Sequence, residues 1–377
     1  MDYQRIVIKV GSSTLTAGGR HISLPRVVDL VKSISQLKQS GVQVLLVSSG
    51  AIVAGREALG YPELPKFIPA KQMLAAVGQP RLMEMYERFF EIYNEKVAQV
   101  LLTRADLTDR RRYLNARSTI EALINQSVIP IINENDTVAT EEIRFGDNDN
   151  LSAQVASLIE ADLLILLTDQ DGVYEQDPRR NPQAKLFYRI ESAEIPPEMW
   201  AAAGGTSSGL GTGGMITKLQ AADLARRSGC AVVIASGNLP FNILRIAKNE
   251  PVGTFFSPIV NKIEARKRYI LTAARGKGQI YIDSGAEQAL THGRSLLPIG
   301  ITGLGGDFER GDAVEVLCGQ AKPVAMGITN YAARDLEKLV GHQSSEIENI
   351  LGYTYGDEVI HRNNLVMIQS AKRNCND

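Results

Sequence analysis

Cysteine and histidine are scarce in this chain of 377 residues, which contains 3 cysteines and 4 histidines. The cysteines show no CxxC spacing, so the sequence indicates neither a disulfide framework nor a structural zinc site. The histidines are isolated from one another along the chain, which disfavours a mechanism built on histidine as general base or metal ligand. We expect a protein of a reducing compartment that does its chemistry with other side chains.

Excess charge and long apolar runs are also missing. The 41 basic and 42 acidic residues leave a formal net charge of -1, so no global field attracts nucleic acid or anionic lipid. The chain has no run of 18 apolar residues, and its N-terminus lacks the pattern of a signal peptide. We therefore expect a cytoplasmic protein without membrane association. A hydrophobic content of 44% excludes a disordered chain, and the length suits one or two domains.

Residues 1–258 alternate short apolar segments with stretches at helical spacing, which is typical of βα units. Strands are predicted at Arg5–Val10, Val42–Val47, Val97–Leu102, Val128–Ile132, Leu163–Leu167 and Ala231–Ala235. One helix is predicted from an N-cap at Ser23 to Gly41, and others are centred near residues 82, 120, 155 and 222. The predicted fold class is α/β, a three-layer αβα sandwich with a mainly parallel sheet.

The pattern changes past residue 258. Residues 259–275 are rich in charge and are predicted to be a linker. Residues 276–356 show short alternating segments, such as Gln279–Ile282 and Ala313–Leu317, with glycine-rich turns expected at Gly303–Gly306 and Gly311. The sequence therefore predicts a catalytic domain over 1–258 and a second, small and mostly β domain over 276–356.

Five polar or glycine-rich segments each follow an apolar strand, where open α/β sheets bind ligands. They are KVGSS from Lys9, SSGA from Ser48, NEND from Asn133 together with GDNDN from Gly146, LTDQDG from Leu167, and the glycine loop that leads to Lys218. Each alone has an ordinary alternative as a solvated turn, a helix cap or a linker. A calcium loop is excluded at GDNDN, because Leu158 stands where its glutamate would be. Together the five indicate one ligand site.

These residue types suit phosphoryl transfer, which depends on positioning and on neutralising charge. A carboxylate acceptor is already ionised at neutral pH and needs no general base, in keeping with the scarcity of histidine. The glycine loop offers backbone amides to phosphate oxygens, and the Asn/Asp segments offer acceptors to an ammonium group. Lys9 and Lys218 are expected to flank the transferred group.

Seven segments, in this order, resemble the glutamate 5-kinase family of the amino acid kinase superfamily. They are KVGSS, SSGAI, LLTRAD, INEND, FGDNDNLSA, LLTDQDG and GTGGMITK. The stretch 276–356 resembles a PUA domain, most closely in SLLPIGI and FERGDAV. The resemblance runs almost end to end and implies ATP-dependent phosphorylation of the side-chain carboxylate of L-glutamate to γ-glutamyl phosphate, the first step of proline biosynthesis.

The resemblance also implies roles for individual residues. Lys9 and Lys218 would stabilise the transition state, with Asp149 orienting them, and the glutamate-binding residues would be Ser49, Asp136 and Asn148. The implied ATP contacts are Lys9, Gly11, Thr168, Asp169, Thr212, Gly213, Gly214, Met215, Ile216, Thr217 and Lys218. Mg²⁺ is implied with ATP, without an assigned side-chain ligand.

Several partners follow from the same resemblance. It implies feedback inhibition by proline, homo-oligomers (a dimer or a tetramer) formed by the kinase domain, and hand-off of the acyl phosphate to glutamyl phosphate reductase. PUA domains elsewhere bind RNA, but here only the basic cluster from Arg266 to Lys277 would serve. Because such a charge run is more often a solvated linker, an RNA partner is not expected. Two alternatives stay open: a kinase for aspartate, acetylglutamate or a nucleotide, and an RNA-binding protein with an inactive kinase-like domain.

Overall fold

The computed structural model of the chain describes residues 3–65, 67–139, 148–204, 214–262, 264, 278–319 and 322–368. The chain divides into two units, Met1–Lys262 and Ile263–Asp377. Most of the predicted linker, 259–275, lies outside the described residues. None of the described helices is long and apolar enough to cross a membrane.

The first unit is built on an eight-stranded sheet with the order β3-β4-β2-β1-β5-β7-β8-β6. The strands are β1 (Arg5–Val10), β2 (Gln43–Ser48), β3 (Lys96–Leu102), β4 (Val128–Glu134), β5 (Leu163–Thr168), β6 (Arg189–Ile190), β7 (Ala231–Ser236) and β8 (Thr254–Phe256). All neighbours pair in parallel except β7 and β8, which are antiparallel. The central strands are apolar and buried on both faces, as a covered parallel sheet requires.

Helices of the first unit cover both faces of this sheet. They are α1 (Ser12–Leu15), α2 (Leu24–Gln39), α3 (Ala51–Ala58), α4 (Ile68–Glu91), α5 (Arg104–Thr108), α6 (Arg110–Asn125), α7 (Asn148–Leu158), α8 (Pro197–Ala203), α9 (Met215–Arg227) and α10 (Asn242–Ala247). Successive residues of β1 enter different cores: Val7 packs with residues of α7 and α9, whereas Ile8 packs with residues of α2 and α4. The predicted three-layer αβα sandwich is confirmed.

The predicted strands of this unit agree with the observed ones to within two residues at each end, and the predicted helices correspond to α2, α4, α6, α7 and α9. The sequence pattern missed β6 and β8, which have two and three residues. Segments this short contain too few residues to display an alternating pattern. Their pairing depends on β7, since β8 joins the sheet antiparallel to it.

Two glycines allow α3 and α4 to pack backbone against backbone. A Cβ atom on Gly78 would lie 1.8 Å from the carbonyl oxygen of Ala51, and one on Gly55 would lie 1.9 Å from that of Leu74. Any larger side chain at either position would force the helices apart. The contact matters because α3 begins directly after Ser49 and Gly50, so the end of β2 is held against α4.

The second unit has its own five-stranded sheet, with the order β10-β9-β11-β12-β13. Its elements are β9 (Gln279–Ile282), α11 (Ser284–Thr291), β10 (Ile301–Gly305), β11 (Ala313–Cys318), β12 (Lys322–Ile328), α12 (Ala333–Leu339), α13 (Ile347–Leu351) and β13 (Leu365–Met367), with 3₁₀ turns at Pro298–Gly300, Ser344–Glu346 and Arg362–Asn364. A separate hydrophobic core lies under the sheet. The predicted small, mostly β module is confirmed.

One expectation for the second unit is wrong. Gly303–Gly306 was expected to be a turn, but Gly303 to Gly305 lie in β10, paired with β9 across a register shift. The absence of side chains lets this strand lie beside Gln279 and Tyr281, since a Cβ on Gly305 would be 3.2 Å from the Gln279 Oε1 atom. Only Gly306, with φ of 76°, leaves the extended conformation for the left-handed region.

Candidate active site

Polar side chains meet where β1, β2, β4 and β5 end. Val10 of β1 is level with Ser48 of β2 and with Leu167 of β5, so the loops after these strands begin at the same edge. This edge is the carboxyl end of parallel strands, where open α/β sheets bind ligands. Gly50 turns the chain from β2 into α3 with φ of 115°, a left-handed conformation that suits glycine.

Two buried lysines share one buried carboxylate at this edge. The Lys9 Nζ atom lies 2.6 Å from Asp149 Oδ1, and the Lys218 Nζ atom lies 3.1 Å from Asp149 Oδ2. Their exposed fractions are 5% for Lys9, 1% for Asp149 and 6% for Lys218. The three residues come from β1, from the first turn of α7 and from the first turn of α9. We call them the lysine–aspartate triad.

Asp149 is held in its ionised form by the two lysines. Burial opposes the ionisation of Asp149, but the positive charges of Lys218 and Lys9, with hydrogen bonds from Lys9 and Thr217, keep the pKa of its carboxyl well below its usual range. The Thr217 hydroxyl donates to Asp149 Oδ2 at 2.7 Å. With two cations and one anion, the triad carries a net positive charge. Asp149 therefore positions the lysines and does not accept a proton.

Backbone amides add to this positive region. Helix α9 begins after Gly214, which offers no capping side chain, so the first amides of this 13-residue helix are available to bind an anion. A Cβ on Gly11 would lie 3.4 Å from the Lys9 Nζ atom, so glycine leaves room for a ligand beside that ammonium. The arrangement is suited to phosphate oxygens.

A second group of side chains lies beside the triad along α7. The Asn148 Nδ2 group donates to Ser49 Oγ at 2.9 Å and to Asn133 Oδ1 at 3.0 Å. The Asn148 Oδ1 atom is buried and has no hydrogen-bond partner among the described residues. The oxygen of Ser49 accepts from Asn148, which leaves its own proton for another acceptor. This group can bind one ammonium and one carboxylate.

Asp136 follows β4 by two residues and is partly buried. Burial raises the pKa of its carboxyl to about 6, against the opposing charge of Lys71. The carboxylate is therefore ionised at pH 7 and becomes neutral in mildly acidic solution. Asp136 therefore places a negative charge on the loop that follows Asn133 and Glu134, the last two residues of β4.

Apart from Lys9 and Gly11, which are described above, the residues expected to contact ATP divide into three groups. Thr168 is buried at the end of β5 and donates to the exposed Asp169 at 3.1 Å. Gly214 to Lys218 form the start of α9, where the Thr217 hydroxyl oxygen also lies 2.8 Å from the Gly214 carbonyl oxygen. Thr212 and Gly213 lie outside the described residues.

Sequence reasoning missed two residues of the site, Asn133 and Gln79. Asn133 stood in the NEND segment without a role, yet it lies 2% exposed against Asn148. Gln79 lies in the middle of α4 and accepts from Asn133 Nδ2 at 2.8 Å. A polar residue on the buried face of a helix was the available signal at Gln79, because such a residue requires a partner.

Comparisons with known proteins identify the family of the chain. The model of the amino acid kinase family matches residues 4–236, and that of the PUA domain matches residues 278–351. A glutamate 5-kinase of Shewanella pealeana is 51% identical over 98% of this chain and 99% of its own length. The chain belongs to the glutamate 5-kinases of the amino acid kinase family. Another glutamate 5-kinase, from Deinococcus radiodurans, is 50% identical over 97% of this chain and 100% of its own. Among solved structures, a UMP kinase from Bacillus anthracis is similar over 69% of this chain and 98% of its own, at 18% identity and a TM-score of 0.46.

The family membership confirms the resemblance seen in the sequence, and it makes the protein a kinase with a PUA domain that uses ATP. It leaves the individual site residues to be argued from geometry. In this glutamate 5-kinase family member, the lysine–aspartate triad and the Asn148 group lie side by side, because Asn148 and Asp149 are consecutive at the start of α7.

The charge balance of the triad predicts unequal effects of two substitutions on stability. Asp149→Asn leaves two buried ammonium groups without a counterion and should lower the free energy of unfolding by about 3 kcal/mol or more. Lys218→Met leaves Asp149 paired with Lys9 and should cost about 1 kcal/mol. Urea unfolding followed by the fluorescence of Trp200, the single tryptophan, reports the first unit alone.

Equal losses in the two variants, or a larger loss in Lys218→Met, would show that the triad is not held together by charge balance. Gln220→Ala serves as the control, since this exposed residue lies in the same helix as Lys218.

Proposed function

We propose that this protein transfers the γ-phosphoryl group of ATP to the side-chain carboxylate of L-glutamate, producing γ-glutamyl phosphate and ADP as the first step of proline biosynthesis. The observation that carries this proposal is the buried triad, whose net positive charge lies next to side chains suited to an amino acid. The near-complete match to glutamate 5-kinases supports the choice of substrate.

The triad suits the electrostatics of this reaction. A carboxylate and a polyphosphate repel each other, so a phosphoryl transfer between them needs cations on both sides of the transferred group. Lys9 and Lys218 approach Asp149 from its two oxygens, and an ammonium group has three N–H donors, which suits contact with several oxygens at once. Both lysines are fixed before substrates arrive, which lowers the cost of reorganisation in the transition state.

The acceptor needs no base in this scheme. The side-chain carboxyl of glutamate has an ordinary pKa of about 4.3 and is ionised at neutral pH. Its oxygen attacks the γ-phosphorus while the bond to the ADP oxygen breaks, and no proton moves. Asp149, whose pKa is held low by the lysines, is accordingly a positioning group.

The neighbouring polar group supplies recognition of the amino acid. The free Oδ1 atom of Asn148 accepts from the substrate ammonium, and the Ser49 hydroxyl donates to a substrate carboxylate. We place the carboxylate of Asp136 near the ammonium, because its loop starts from the strand that carries Asn133. Charge-assisted hydrogen bonds of this kind select a zwitterion over a simple dicarboxylate.

ATP is proposed to lie over the loops that follow β1 and β5 and over the first turn of α9. Its phosphates would contact Lys9, Gly11 and the backbone amides of Met215 to Lys218 in the first turn of α9. Its nucleoside part would contact Thr168 and Asp169. Contacts with Thr212 and Gly213 stay predictions from the family resemblance. The positive triad and the uncapped helix are the features that support this placement.

Mg²⁺ is proposed to enter with ATP. No group of three His, Cys, Asp or Glu side chains that could hold a metal occurs in the parts of the chain that the structure describes, and Asp149 is committed to the lysines. This donor set fits an ion that is held chiefly by phosphate oxygens and water. When bound, it would supply further neutralisation of the phosphate charge.

Regulation and assembly complete the proposal. Proline carries the same ammonium and α-carboxylate as glutamate, so we infer that it inhibits at or near the Ser49–Asn148 group. We further propose a cytoplasmic homo-oligomer formed by the kinase domain, and capture of the reactive acyl phosphate by glutamyl phosphate reductase. These statements rest on the family resemblance.

Trapping of the product tests the proposed reaction. Purified protein incubated with Mg-ATP, L-glutamate and hydroxylamine should form γ-glutamyl hydroxamate, measured by its coloured ferric complex, and added proline should reduce the rate. Aspartate and acetylglutamate in place of glutamate should give little product. Folded protein that yields no hydroxamate from glutamate would refute the proposal, and preferred use of another acceptor would reassign the substrate.

The pKa of Asp136 predicts a pH dependence of glutamate binding. Asp136 is ionised above pH 6 and neutral below it, since burial raises its pKa to about 6. At pH 5 only about one tenth of it is ionised, so the KM for glutamate should rise up to about tenfold from pH 7.5 to pH 5. The substrate's own side-chain carboxyl stays largely ionised in that range.

The matched variant is Asp136→Asn, which should show a raised and nearly constant KM for glutamate between pH 5 and 7.5, with the KM for ATP unchanged. A wild-type KM for glutamate that does not change over this range would remove Asp136 from the recognition of the ammonium group.

A further inference from the structure

Four side-chain amides form a continuous hydrogen-bonded chain that ends at the proposed amino-acid site. Gln79 Nε2 donates to Gln99 Oε1 at 2.9 Å, Asn133 Nδ2 donates to Gln79 Oε1 at 2.8 Å, and Asn148 Nδ2 donates to Asn133 Oδ1 at 3.0 Å. Gln99 is exposed on β3, at the edge of the eight-stranded sheet, while the other three residues are buried. We call this the amide chain.

One backbone group sets the direction of the amide chain. The N–H of Glu134 donates to Asn133 Oδ1 at 2.9 Å. Because a backbone N–H can only donate, the atom of Asn133 that faces it must be the carbonyl oxygen. The same oxygen faces Asn148, so Asn148 must present its NH₂ group there and also to Ser49. The other end of Asn148, its Oδ1 atom, is thereby directed away from the amide chain and has no partner among the described side chains and backbone.

We propose that Asn133, held by Gln79, is a positioning residue that fixes which end of the Asn148 carboxamide faces the substrate. This inference rests on the proposed function. With Oδ1 facing the site, Asn148 accepts a hydrogen bond from an ammonium group; rotated by half a turn, it would present an NH₂ group to that ammonium and repel it. The amide chain thus determines that the site takes an amino acid in preference to a dicarboxylic acid of the same length.

Burial makes the orientation decisive. Asn133 and Asn148 are 2% and 7% exposed, so water cannot compensate for a mismatched pair. A rotated Asn148 would place its oxygen against the oxygen of Asn133, so this buried contact would have two acceptors and no donor. Gln79, at 9% exposed, holds the far end of Asn133 in the same way.

The experiment compares glutamate with glutarate, which lacks only the ammonium group. Glutarate is measured as a competitive inhibitor against glutamate, with the full-length protein at pH 7.5. The quantity compared between variants is the ratio of the inhibition constant of glutarate to the KM for glutamate. Asn133→Leu removes the oxygen that orients Asn148 and should lower this ratio about tenfold, as expected for loss of a hydrogen bond to a charged group. Asn133→Asp keeps an acceptor toward Glu134 and Asn148 and should keep the ratio within about threefold of wild type or raise it.

The ratio separates positioning from general damage, because loss of structure or added negative charge alters the binding of both ligands. The KM for ATP should stay within about twofold in each variant. Gln79→Met provides a second variant, which removes only the support of Asn133 and should lower the ratio about threefold. It decides the matter if Asn133→Leu does not fold.

An unchanged ratio in Asn133→Leu, or in Gln79→Met where the former does not fold, overturns the inference while leaving the proposed function standing. An equal fall of the ratio in Asn133→Asp and Asn133→Leu also overturns it, since acceptor geometry would then have no influence. Wild-type protein that does not phosphorylate glutamate overturns the proposed function and this inference with it.

Discussion

The burial of two lysines around one carboxylate is the interaction on which the site depends. Lys9 comes from the centre of the sheet, and Asp149 and Lys218 come from the first turns of two helices that cover it. Buried charges are stable only when each is paired at close range. The C-terminal end of β1 and the first turns of α7 and α9 must therefore converge on one point. This point lies at the carboxyl edge of the sheet, and its excess of one positive charge favours the binding of an anion there.

The two sides of the proposed reaction are arranged around this point. On one side, the uncapped start of α9 and the glycine beside Lys9 leave backbone amides and space for phosphates. On the other, α7 presents Asn148, the residue before Asp149, to Ser49 at the end of β2. The close contact between α3 and α4 holds the end of β2 near α4, the helix that carries Gln79. From Gln79, the amide chain continues to Gln99 on the edge strand β3. In the proposed mechanism, charge sets the place of transfer, and neutral amides set the orientation of the acceptor.

Much of the fold could be predicted from the sequence, because the central strands are short, nearly continuous apolar runs that suit a sheet buried on both faces. Lys9 and Lys218 could be picked out because each lies beside a glycine-containing segment at the edge of the predicted sheet, whereas Asp149 was assigned only through the family resemblance. Asn133 and Gln79 could not be assigned roles, since their partners are distant in sequence and meet only through the packing of α4 against β4. Gly303 to Gly305 were mistaken for a turn because glycine marks both turns and strands that lie close to bulky neighbours.

The turnover number of Lys218→Met is the most direct measure of the central claim, that two lysines neutralise the transferred phosphoryl group. With saturating Mg-ATP and glutamate, we expect kcat to fall by about 100-fold to 1000-fold relative to wild type, as when one preorganised donor is removed from a transition state. Gln220→Ala in the same helix should stay within about twofold of wild type. A folded Lys218→Met protein with a kcat within about threefold of wild type would contradict the account.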